Sequence, residues 1–163
     1  MKFLEKDLEQ IIWETDNEKL QEKGLLISGK KLRQLRIGNY GIADLVTYEK
    51  IPHDFLSNSY FEITVYELKK EKAGISAFLQ ALRYCKGIYT YLEIHKPNID
   101  FKLNIVLCAK EIDTTSDYIF LTDLLNSEDF NTLNTITNYS FNYGIDGIEF
   151  KEEKGYNLSS KGF

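Results

Sequence analysis

The sequence predicts an α/β sandwich built on a mixed sheet, and three observations carry that reading. Residues 3–13 place Leu4, Leu8, Ile11 and Ile12 at helical spacing. Three strand-like segments then precede a second helical stretch, from about Gly74 to Glu93, which Pro97 ends. Beyond it FKLNIVLCA, residues 101–109, is a nearly continuous apolar run, the pattern of a strand covered on both faces. The order helix, three strands, helix, strand requires a sheet with helices packed on it.

Each element has its own signal. The first helix carries Glu5 and Glu9 one turn apart on a polar flank. After a polar connection, LLIS (25–28) and LRQLRI (32–37) read as short strands separated by Gly29. Gly38-Asn39-Tyr40-Gly41 is a turn signal that returns the chain antiparallel into GIADLVTY, residues 41–48. The segment EKIPHDFLSNS (49–59) reads as a loop, because Pro52 cannot donate to a ladder. YFEITVYELK (60–69) has the β-branched and aromatic content of a strand. In the remainder, TDLLNSEDF (122–130) reads as a short helix and NTITNYSFNYGIDGIEFKEE (134–153) as a β-hairpin turning at Gly144 to Gly147. The tail from Tyr156 to Phe163 is expected to fray. No repeat or linker divides residues 1–163, so a single domain is expected, with a core over about 3–109 and an extension over about 110–163.

Composition excludes several classes of function. The chain has 163 residues, 43% of them hydrophobic and 28% charged, a globular balance. Its net charge of −5 argues against a protein that coats nucleic acid without specificity, since phosphate contacts need Lys and Arg. Positive charge is nevertheless clustered: Lys30, Lys31, Arg33 and Arg36 lie together, as do Lys69, Lys70, Lys72, Arg83 and Lys86. Cys85 and Cys108 have apolar neighbours and no metal-ligand spacing, as core thiols in a reducing compartment do. An acid-bearing start and the lack of a long apolar run point to a cytoplasmic protein without a membrane span. There is no phosphate-binding GxxxxGK[ST] loop, and the two histidines, His53 and His95, sit in polar contexts.

The unusual feature is Glu67-Leu68-Lys69. Side chains alternate along a strand, so Glu67 and Lys69 share one face with Ile63 and Val65 while Leu68 turns to the other. The charges emerge where the apolar strip ends, with Glu67 expected as a solvent-facing carboxylate. Asp44 sharpens the question. It lies inside the apolar GIADLV, with Ile42 and Val46 on its own face, and burying it is costly unless it is paired or binds a metal. If the two strands are neighbours, Asp44 and Glu67 converge. Two carboxylates, a backbone carbonyl and water are the hard oxygen ligands that Mg²⁺ prefers.

This constellation resembles the PD-(D/E)XK nuclease superfamily, over roughly residues 3 to 109. The resemblance implies a restriction endonuclease-like three-layer α/β/α core with a central mixed sheet (αβββαβ), here followed by a C-terminal hairpin. It implies a Mg²⁺-dependent deoxyribonuclease, with Mn²⁺ as a substitute, that hydrolyses phosphodiester bonds in DNA and leaves a 5′-phosphate. Carried over, Asp44 and Glu67 hold the metal together with the Leu68 carbonyl, and Lys69 is the catalytic lysine. A glutamate on the first helix joins the site, and Glu5 and Glu9 both fit. Gln80 and Tyr84 resemble the QxxxY motif of the RecB-like branch, and with Arg83 they would contact the substrate or brace the site. Gln34 resembles a glutamine found upstream of the aspartate in related families. Ala43 stands where the superfamily's name puts a proline, and 22 residues separate Asp44 from Glu67. Superfamily members often pair as homodimers. The main alternative is a catalytically inactive module of the same fold that binds nucleic acid or a protein partner. A hydrolase working through a carboxylate acid–base pair has only loose carboxylates to support it.

Overall fold

The computed structural model describes residues 3–53, 58–115, 117–126 and 135–154. Helices α1 (Glu5–Glu14) and α2 (Asn17–Glu22) lead into strands β1 (Lys30–Arg36), β2 (Ile42–Pro52) and β3 (Ser59–Ala73). Helix α3 (Ile75–His95), strand β4 (Phe101–Ile112), helix α4 (Asp117–Leu125) and the hairpin β5 (Thr135–Gly144) and β6 (Gly147–Glu153) follow. The strands form one six-stranded sheet in sequence order. β1, β2 and β3 pair antiparallel, β3 to β4 and β4 to β5 are parallel, and β6 returns antiparallel. The parallel pairs need crossovers, and α3 and α4 supply them.

Two apolar clusters divide at the sheet. One joins α3 (Ala77, Phe78, Ala81, Tyr84, Ile88) and α4 (Tyr118, Ile119) to Val65, Ile105 and Leu107. The other joins α1 (Leu8, Ile12) and α2 (Leu20) to Leu45, Tyr66, Leu68, Val106 and Tyr139. Helices therefore cover both faces of a mixed α/β sheet. No helix among the described residues is long and apolar enough to cross a membrane.

Several sequence expectations need correction. Residues 25–28 are not a strand. Leu25 and Ile27 are buried and Leu26 is exposed, which mimics strand alternation, but side chains of α2 take up the backbone. Gln21 Nε2 donates to the Ile27 carbonyl at 2.7 Å and Asn17 Nδ2 to that of Gly29 at 3.0 Å. α2 itself was hidden in the polar connection because it buries only Leu20. β2 runs on to Pro52, which pairs with Ser59 as the strand's last residue, where a missing donor costs least. α4 begins at Asp117, earlier than the predicted short helix. Part of that predicted helix (127–130) and the tail expected to fray (156–163) lie outside the described residues.

Candidate active site

The site forms where β2 and β3 part. Their ladder runs from Pro52–Ser59 up to Leu45–Tyr66 and stops there. One step further along the same register Asp44 stands opposite Glu67. Instead of a ladder bond, the Asp44 carboxylate accepts the N–H of Leu68 at 3.3 Å. A residue in an extended strand points its N–H and C=O to the same neighbour, so the Leu68 carbonyl also faces the Asp44 side.

Glu67 is 1% exposed, which corrects the expectation of a solvent-facing carboxylate. Its strand is central, flanked by β2 and β4, and the apolar strip of Ile63 and Val65 continues around it rather than ending before it. Oε1 lies 2.6 Å from Lys69 Nζ, a charge-assisted contact, and Oε2 meets no donor among the described residues. Burial pushes the Glu67 carboxyl up to about 7, against the pull of the Lys69 ammonium. Burial likewise raises Asp44, opposed by the Leu68 N–H and by Lys69. Desolvation alone would lower Lys69, but contact with Glu67 and the nearby charges of Glu5 and Asp44 outweigh it, so its pKa lies above the ordinary lysine value.

The two glutamates of α1 divide their work. Glu5 Oε1 stands 3.9 Å from Lys69 Nζ, so Glu5 joins the cluster. Glu9, 7% exposed, instead binds β1: Arg33 Nε contacts its Oε1 and Gln34 Nε2 donates to Oε2 at 2.7 Å. Arg33 was visible in the sequence only as part of a basic cluster, and the capping contact of Asp7 in the first turn of α1 was not singled out. There Asp7 accepts the Leu4 N–H at 2.7 Å and fixes the start of the helix. Lys31 is spent structurally as well, donating to the Ile12 and Thr15 carbonyls at 2.8 and 2.5 Å at the end of α1. Two of the four charges in the 30–36 cluster are therefore internal rather than a free basic patch.

On α3, Gln80 Nε2 donates to the Tyr84 hydroxyl at 2.8 Å, so the two residues singled out as a motif are joined. Tyr84 is 3% exposed, and its ring lies against Gly41 at the start of β2. A Cβ on Gly41 would come within 2.8 Å of Tyr84 Cε1. Arg83 is exposed, with its guanidinium 5.7 Å from the Tyr84 ring centroid.

No three His, Cys, Asp or Glu side chains stand close enough to hold a metal by themselves among the described residues. Asp44, Glu67 and the Leu68 carbonyl offer hard oxygen donors. Glu67 Oε2 has no donor among the described residues, and a carboxylate oxygen left so in a buried site is one that Mg²⁺ could take, with water and substrate completing its shell. Compared with protein-family models, curated proteins and solved structures, the chain has no match.

Proposed function

We propose that this chain is a Mg²⁺-dependent nuclease acting on DNA, with a restriction endonuclease-like core of the RecB-like branch. The observation that carries the reading is Glu67: a carboxylate buried to 1% exposure, opposite Asp44 and 2.6 Å from a lysine two residues along the strand. A structural ion pair has no need to bury its acid so completely, because burial costs more than the pairing returns. Bound at Asp44, Glu67 and the Leu68 carbonyl, Mg²⁺ would polarise the phosphate and lower the pKa of a water. Lys69, kept protonated by Glu67 and Glu5, orients the water for in-line attack and offsets charge that builds on the phosphate oxygens. Exposed Arg83 would contact the DNA backbone, while buried Tyr84 braces α3 against β2 and accepts a hydrogen bond from Gln80. Pairing of two chains would let such a site cut both strands.

One observation favours a second reading, a binding module without catalysis: Lys69 already neutralises Glu67, so the cluster is self-sufficient as an ion pair. Incubation with single-stranded, duplex, branched and flap DNA in Mg²⁺ or Mn²⁺ separates the two. Cleavage that a chelator stops supports the nuclease. A mobility shift without metal, on DNA that stays intact, supports the binding module.

A further inference from the structure

Gln34 is the only residue other than glycine with positive φ among the described residues, at 50° in the middle of β1. That region is strained for a side-chain-bearing residue, and strain of this kind persists where the surroundings enforce it. Its effect on β1 is visible. Adjacent residues of a regular strand point to opposite faces, yet Arg33 and Gln34 take the two oxygens of one carboxylate, that of Glu9. Leu32 and Leu35 likewise pack on the same cluster, the one under α3, although an odd spacing should separate them. β2 shows the matching break: Ala43 joins the α3 cluster and Leu45 the α1 cluster. The break falls at Asp44, which lies opposite Gln34 between the pairs Arg33–Leu45 and Leu35–Ala43.

We infer that Arg33 and Gln34 form a clamp on Glu9 that sets the rotation of α1 and so delivers Glu5 to Lys69. Glu5 precedes Glu9 by one helical turn, so both lie on one side of α1, and fixing the second fixes the first. The clamp acts through Glu9 and Glu5, which makes Gln34 a positioning residue. The left-handed turn at Gln34 exists to bring a second donor onto the face that Arg33 already occupies. Only its kinetic consequence rests on the proposed nuclease reading.

The test uses Gln34→Met, which keeps the side-chain length and removes the donor, and Gln34→Gly, which removes strain and donor together. In isotope-labelled, metal-free protein, side-chain NOEs between Glu5 and Lys69 report the delivery directly. They should be present in the parent and fall to background in both variants, while NOEs across β1 and β2 persist and Tm stays level or rises in Gln34→Gly. Persistence of the Glu5–Lys69 NOEs in both variants overturns the clamp. If the parent cleaves DNA, Gln34→Met should lower kcat by about tenfold and leave KM near its parent value. Equal kcat in parent and variant also overturns it. A parent without cleavage fails the nuclease reading alone, and the NOEs still decide the clamp.

Discussion

Glu67 Oε1 and Lys69 Nζ lie 2.6 Å apart, yet the acid is 1% exposed and the lysine side chain 27% exposed. The acid thus bears nearly all of the desolvation, and the base keeps contact with solvent. This asymmetry raises the carboxyl to about 7 and gives the pair consequences that a surface Glu–Lys pair lacks.

The first consequence is a pH dependence of stability in metal-free protein. Between the ordinary glutamate value of 4.5 and about 7, folded Glu67 holds a proton that the unfolded chain has lost. Stability from this group is greatest below pH 4.5, falls as pH rises to about 7 and is level above that. The loss is up to about 3 kcal/mol. Asp44, raised by burial, acts in the same sense. Denaturant titrations at a series of pH values should show this decline in the parent and a shallower one in Glu67→Gln.

Glu67→Gln should also trade activity for stability. Glutamine approximates the neutral acid that the burial favours, so at pH 8 the variant should be more stable by about 1 kcal/mol. Chemical denaturation at that pH reads the sign.

A divalent cation should reverse the pH trend. Metal competes with protons for Asp44 and Glu67, so the Tm increase caused by Mn²⁺ should be larger at pH 8 than at pH 5.5. At a hundred times its dissociation constant the ion would add about 2.7 kcal/mol. Thermal melts with ion and then chelator should show the increase lost in Asp44→Asn and Glu67→Gln. It should persist in Lys69→Ala, because the ammonium is not a ligand.

Gly41→Ala should destabilise the fold strongly. The glycine has φ 119°, and an added Cβ would meet the Tyr84 ring at 2.8 Å. Strain and clash together predict a loss of about 2–4 kcal/mol, read by urea denaturation. Tyr84→Phe, which removes only the hydroxyl that Gln80 binds, should cost about 1 kcal/mol.

The sequence made some of this legible and hid the rest for identifiable reasons. Helical spacing disclosed α1 and α3, and the apolar run of β4 disclosed a covered strand, because each pattern repeats over several residues. The adjacency of β2 and β3, assumed across the 22 residues between Asp44 and Glu67, holds because both strands extend into that interval and shorten the loop. The burial of Glu67 was not legible, since a Glu-x-Lys triplet at a strand end reads the same whether neighbouring strands cover it or not. Nor could spacing choose between Glu5 and Glu9. That choice depends on Gln34, whose left-handed backbone inverts the alternation of β1, and no composition signal marks a glutamine for that conformation.

The proposal that Asp44, Glu67 and Lys69 form one catalytic site is open to matched cleavage assays. Parent, Glu67→Gln and Lys69→Ala, each verified as folded, are incubated with the DNA panel in Mg²⁺ and the product ends are mapped. The parent should cleave DNA in a metal-dependent way that leaves 5′-phosphates, with a rate loss of roughly a thousandfold or more in both variants. Cleavage by both variants at the parent's rate, or no cleavage of any substrate by the parent, would contradict the proposal.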